Sequence, residues 1–196
     1  DDFTIEFDVR FTTGGGTCSQ WFQGLGLVDS EMGGIQNDFG VSACGGRIMF
    51  GIGNPDTTIV STEAYNDGGW HHVVATRERA SGRFALSVDG LVAAIGTGNT
   101  HSLTSAPHTD LCRLQTALGY FTGDLRDVTF FSGLRPPMPP SPPPSPPPVA
   151  PPSGPPPLSP PSPSPSPSAF IPPAPPPPPQ PNTPLPTSCL AQIASG

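Results

Sequence analysis

The sequence contains no lysine, and its eight basic residues are all arginines between Arg10 and Arg135. With fifteen acids and a net charge of −7, it has no cationic patch with which to neutralise phosphate. That excludes electrostatic binding to nucleic acid and attachment to anionic lipid. No run of 18 apolar residues is present, so no membrane-spanning helix is expected, and Asp1-Asp2-Phe3-Thr4-Ile5 reads as a strand rather than a signal peptide. No Asn-x-Ser/Thr acceptor occurs, because Asn54 precedes a proline, so N-glycans are not expected. The cysteines Cys18, Cys44, Cys112 and Cys189 lack the C-x-x-C spacing of a zinc or redox pair. Disulfides formed in an oxidising compartment are the expectation, in three possible pairings.

What the chain has in excess is proline, and only at one end. Of 32 prolines, only Pro55 and Pro107 precede residue 136, and no charged residue follows Arg135. A segment so rich in proline and free of charge and of alternating apolar residues cannot bury enough surface to offset its ordering entropy, whereas about 135 residues suffice for one domain with a core. The sequence therefore divides into a globular domain (1–135), a proline-rich rod (136–188), and a tail end or the start of a further domain (189–196).

In the globular part, Phe3, Ile5, Phe7, Val9 and Phe11 alternate with Thr4, Glu6, Asp8 and Arg10, the pattern of a half-buried strand. Further short strands are predicted over 21–28, 39–43, 47–52, 58–61, 70–77, 84–89, 91–97, 111–115 and 125–131. Gly45-Gly46 and Asp89-Gly90 are two-residue hairpin turns. With no convincing 3.6-residue period, the fold expected is all-β: a two-sheet antiparallel sandwich.

Several motifs make this part resemble a laminin G-like domain of the concanavalin A-like jelly-roll superfamily. They are Phe3-Thr-Ile-Glu-Phe, Gly24-Leu-Gly-Leu-Val-Asp29, Asn37-Asp-Phe-Gly, Gly51-Ile-Gly-Asn-Pro-Asp56, Gly69-Trp-His-His-Val-Val, Val88-Asp-Gly and Phe121-Thr-Gly-Asp-Leu-Arg-Asp-Val. The resemblance implies a jelly roll, and it raises three kinds of site. Glucanases of the superfamily carry carboxylates at alternate strand positions, but after Glu6 and Asp8 a third is missing, and Val9 and Arg10 follow. An ion-paired strand face explains them better than catalysis, and the protein is expected not to be an enzyme. Calcium-binding relatives place an acid where Asp38 stands, and Asp29, Glu31 or Asp56 is the candidate second carboxylate for an ion that wants six to eight oxygens. Lectin-like use of the fold would draw on rim loops carrying Trp21, Asn37, Asn54 and Tyr65. His71 and His72, adjacent in a strand, point to opposite faces and do not make a metal pair. His101 and His108 have no acid and nucleophile to complete a triad.

From Pro136 onward proline bars helix and ladder and leaves polyproline II, on the order of 160 Å long by residue 186 at about 3.1 Å per residue. The Ser-Pro-Pro-Pro and Ser-Pro repeats resemble hydroxyproline-rich glycoproteins of plant and green-algal walls. That resemblance implies hydroxylation and O-glycans at Pro142, Pro143, Pro144, Pro146, Pro147, Pro148, Pro163, Pro165 and Pro167, with sugars on Ser141 and Ser145. Val149, Leu158, Phe170, Ile171 and Leu185 interrupt the rod as apolar anchors for neighbouring copies. Cys18 with Cys44, leaving Cys112 for Cys189, is the favoured pairing. The leading expectation is a secreted structural glycoprotein of matrix, cell wall or cell surface, assembling head-to-tail with copies of itself into a fibre. The alternative is a carbohydrate-binding module on a proline-rich stalk, with polysaccharide as partner.

Overall fold

The computed structural model describes residues 1–115, 119–135 and, through their backbone, 190–193. All belong to the first of the chain's two units, Asp1–Ser141 with Pro186–Gly196. The second unit, Pro142–Leu185, lies outside the described residues. So therefore do the rod prolines from Pro142 to Pro167, Ser141, Ser145, the anchors Val149, Leu158, Phe170, Ile171 and Leu185, and Cys189.

Among the described residues, eleven strands form two sheets: β1 (Phe3–Arg10), β2 (Leu25–Ser30), β3 (Phe39–Cys44), β4 (Arg47–Ile52), β5 (Thr57–Val60), β6 (His71–Arg77), β7 (Arg83–Val88), β8 (Leu91–Thr97), β9 (Asp110–Leu111), β10 (Asp124–Ser132) and β11 (Leu190–Ile193). One sheet runs β11-β10-β1-β6-β7-β8, the other β5-β4-β3-β2-β9. The alternation read in β1 holds for its inward face, while Thr4 on the other face is buried as well, its Oγ1 donating to the Gly133 carbonyl at 2.9 Å. Ile5, Phe7 and Val9 are fully buried and sit opposite Ala75 and Val73 of β6 and Leu125 of β10. Across the sandwich they meet Leu27, Val41, Ile48, Phe50 and Ile52, and Phe50 packs edge-on against Phe84 at 5.5 Å. At the β7–β8 turn Asp89 and Gly90 both take positive φ, 53° and 77°, the geometry that matches strand twist in a two-residue hairpin.

Three elements differ from the sequence reading. Residues 21–28 are not one strand: Trp21–Gln23 is a 3-10 turn and β2 begins at Leu25. Trp21 is fully buried and lies across Gly40 and Gly51, where added Cβ atoms would stand 2.6 Å from its Cζ3 and 2.0 Å from its Cδ1. Two glycines facing each other across β3 and β4 make a flat seat for an indole, which removes Trp21 from the rim. Of residues 111–115 only Leu111 is in a strand, the two-residue β9 that begins at Asp110. Finally, β11 pairs with β10 in parallel, so the sandwich is antiparallel except at that edge and at the bridge between Gly26 and Tyr120.

Cys18 is bonded to Cys44, tying the turn before β2 to the end of β3. Cys112 is also disulfide-bonded.

Candidate functional site

One end of the sandwich gathers three loops: 31–38 between β2 and β3, 53–56 between β4 and β5, and 98–109 between β8 and β9. Asn37 is the point at which they meet. Its Oδ1 accepts hydrogen bonds from Asn54 Nδ2 at 2.9 Å and His101 Nδ1 at 3.2 Å. Its backbone N–H donates to Ser105 Oγ at 3.0 Å, and its carbonyl accepts from the Ser105 N–H at 3.1 Å. Asn54 holds a positive φ of 55°, a conformation asparagine tolerates better than most side chains.

Beneath these loops lies Arg77, fully buried at the end of β6. Its guanidinium donates to the carbonyls of Asp1, Asn99 and His101 at 3.2, 3.1 and 2.7 Å, and to Asn99 Oδ1 at 3.2 Å. Burial lowers its pKa. Arginine suits this place because a planar fork of five donors can hold several carbonyls at once. Asn99 in turn donates from Nδ2 to the Gly53 carbonyl, which joins the third loop to the second.

Asp38 anchors the first loop. Oδ2 accepts the Met32 N–H at 2.8 Å, and its carbonyl accepts the Gly53 N–H at 2.9 Å. Oδ1 lies so close to Gly53 that a Cβ there would stand 2.0 Å away, so residue 53 must be glycine. Burial pushes the Asp38 carboxyl up to about 6, against the Met32 N–H and helped by the charges of Asp56 and Glu31. Asp29 is fully buried. Its Oδ2 accepts the N–H groups of Gln115 at 2.8 Å and Glu31 at 3.3 Å, and burial drives its carboxyl up to about 7.

Calcium takes six to eight oxygens from carboxylates and carbonyls converging on one point. Asp38 Oδ2 and Asp29 Oδ2 are each committed to backbone N–H groups, and among the described residues no three His, Cys, Asp or Glu side chains could hold one metal ion. Asp38 holds its loop closed.

Elsewhere, Glu6 and Asp8 join an ion-paired face on β1. His72 stands between them, with Nε2 3.0 Å from Glu6 Oε1 and Nδ1 2.7 Å from Asp8 Oδ1. Arg126 donates from Nε and Nη2 to Asp8 Oδ2, both at 2.9 Å. His71 turns to a different pair, Asp89 at 2.8 Å and Asp67 at 3.0 Å. Burial opposes its charge, but the hydrogen bonds to these acids carry its pKa above the ordinary imidazole value. Tyr65 packs edge-on against His71 at 5.1 Å, in the loop before β6 and not among the three rim loops. Trp70, 36% exposed, lies under the guanidinium groups of Arg126 and Arg10, 4.0 and 4.9 Å from the ring centroid. Of the four residues nominated for a sugar-binding rim, the structure brings Asn37 and Asn54 together and removes Trp21 and Tyr65. Arg77, Asn99, His101 and Ser105 complete the cluster.

A family model described as the concanavalin A-like lectin/glucanases superfamily, of laminin G type, matches residues 1–137. The chain belongs to this family. Its laminin G-like domain is 51% identical over 43 residues to mouse laminin subunit alpha-4, a stretch covering 22% of this chain and 2% of the laminin subunit. Among solved structures, a candidate carbohydrate binding protein from Bacteroides ovatus superposes with a TM-score of 0.53 at 14% identity, over 68% of this chain and 38% of that one. Domains LG4-5 of the mouse laminin alpha1 chain superpose with a TM-score of 0.50 at 19% identity, over 66% and 34%. The chain thus spans little more than a third of either solved chain. At these identities the likeness concerns the fold. No helix among the described residues is long and apolar enough to cross a membrane.

Proposed function

We propose that the laminin G-like domain is a carbohydrate-binding module, secreted and non-enzymatic, whose ligand is an oligosaccharide or polysaccharide seated on the three-loop rim. The observation that carries this reading is the set of polar groups left over once the rim has satisfied itself. Asn37 Nδ2, Asn54 Oδ1 and His101 Nε2 make no hydrogen bond to protein among the described residues, while the other ends of the same side chains are locked together. Sugar hydroxyls donate and accept at once, so a fixed array of amide donors, amide acceptors and imidazole nitrogen matches a vicinal diol. Preorganisation by Arg77 and Asp38 lowers the ordering cost of binding. Ile35, 80% exposed at the tip of the first loop, offers apolar surface beside them. An open cleft of about 570 Å³ lined by Arg79, Thr100 and Ser132 adjoins Asn99–His101 through Thr100 and gives room for further sugar units. Membership of a lectin-containing superfamily supports the reading without assigning it, since function resides in the site.

An oligosaccharide array probed with the wild type and with Asn37→Ala and Asn54→Gly tests it. Glycine keeps the positive φ at position 54. Each variant is expected to lose at least about tenfold in affinity, the worth of one or two hydrogen bonds, while staying folded at the assay temperature with a melting temperature lowered only by the rim hydrogen bonds it removes. No binding by the wild type, or equal binding by both variants, would refute the proposal.

A further inference from the structure

The histidines of this protein use their rings differently. His71 and His72 each spend both ring nitrogens on carboxylates, and His108 stands 3.9 Å from Asp110. His101 is exposed and has no ion-pair partner among the described residues. Its place is nevertheless fixed from several sides. The backbone N–H donates to Asn99 Oδ1 at 2.8 Å, the carbonyl accepts from Arg77 Nη2 at 2.7 Å, and Nδ1 meets Asn37 Oδ1 at 3.2 Å. That amide oxygen also accepts from Asn54 Nδ2 and has no proton to give, so the neutral His101 ring carries its proton on Nδ1. Nε2 is then a bare lone pair. Adding a proton turns the same atom into a charged donor, while the Nδ1 bond and the position of the ring stay as they were.

The two forms of the ring select different ligands. A hydroxyl donates to the bare nitrogen and, by rotating, accepts from the protonated one. A carboxylate only accepts: it meets a lone pair in the neutral form and a charge-assisted hydrogen bond in the cationic form. The surrounding charges act in the same direction. Beneath the ring Arg77 is fully buried, and its hydrogen-bond acceptors are all carbonyl or amide oxygens; among the described residues no carboxylate forms an ion pair with it. Arg79 donates from Nε to the Thr100 carbonyl at 3.1 Å, with Asp1 Oδ1 3.4 Å from its Nη1 and Asp2 Oδ1 on its backbone N–H. The adjoining loops bring Asp38, Glu31 and Asp56, and Asp38, pushed up to about 6, loses its negative charge in acid.

We propose that His101 makes the rim a proton-dependent selector, which takes neutral sugar units with the ring in either form and carboxylate-bearing units when Nε2 is protonated. This rests on the rim being a sugar site and adds which substituent that site accepts, and when.

Imidazole is the side chain that changes charge between about pH 5 and pH 8, so the test compares those limits. An array of matched oligosaccharides, differing only in a hydroxymethyl or a carboxylate on the same ring carbon, is probed with the full chain and with His101→Asn, whose amide nitrogen replaces Nδ1 as the donor to Asn37. In the wild type, affinity for the carboxylated member of each pair relative to the neutral one is expected to rise at least about tenfold from pH 8 to pH 5. In His101→Asn the ratio should be the same at both. Long-range proton–nitrogen NMR of the free protein at pH 8 should place the His101 proton on Nδ1. Neutral-sugar binding with a pH-independent ratio, a rise that survives His101→Asn, or a proton found on Nε2 alone would overturn this inference and leave the sugar reading standing. Binding of neither class at either pH would remove both.

Discussion

Two buried carboxyl groups set how this protein responds to pH. Asp29 and Asp38, raised to about 7 and about 6, bind their protons more tightly in the fold than in the unfolded chain, where an aspartate titrates near 4. Their stabilisation is complete below pH 4, declines as pH rises through 6 and 7, and is gone above that. His71, whose pKa is also raised, acts in the same direction. Thermal melts should therefore show a more stable protein at pH 5 than at pH 8. Asp29→Asn should raise stability at pH 8 by up to a few kcal/mol and flatten the profile; a flat wild-type profile would contradict this account. Gly51→Ala places a methyl 2.0 Å from Trp21 Cδ1 and should cost at least about 1–3 kcal/mol of overpacking, measured by denaturant titration. At this scale the sequence was partly legible. Asn37 and Asn54 stand out as turn residues beside strands, but Trp21 looked like a rim aromatic because nothing local reveals that Gly40 and Gly51 lie under it. Arg77 did leave a signal: with Val73 and Ala75 it continues the inward-facing register of β6, and a charge in that register must find buried partners.

Among the elements, β1 was readable because strict alternation fixes both its face and its conformation, and the Asp89-Gly90 hairpin because its turn type demands those residues. β9 and the 3-10 turn at Trp21–Gln23 were not, since two or three residues have no period. The parallel placement of β11 left no trace either: four residues beyond a long proline-rich stretch carry no information about which edge they will join. The Cys18–Cys44 bond closes a loop with a sequence separation of 26. It holds the Trp21 turn against β3, where Ser42 Oγ donates to the Trp21 carbonyl at 2.6 Å. Replacing both cysteines by serine should cost about 3 kcal/mol, read as a lower denaturation midpoint, with Trp21 fluorescence shifting to the red if its seat opens. An unchanged midpoint would show that the turn is held by packing alone.

For the whole molecule, the sheets bring together what the sequence scatters. The rim draws residues from positions 37 to 105 onto one end, with Arg77 as the common support, while the Glu6–His72–Asp8–Arg126 network occupies the outer face of the other sheet. Those carboxylates are held by a histidine and an arginine. The most direct measurement is an NMR titration of the isotope-labelled full chain with an oligosaccharide that it captures on an array. The account predicts that the side-chain amides of Asn37 and Asn54 and the His101 imidazole shift first and most, with Trp70 and His72 unmoved. Shifts centred on the Trp70 face, or none anywhere, would contradict it.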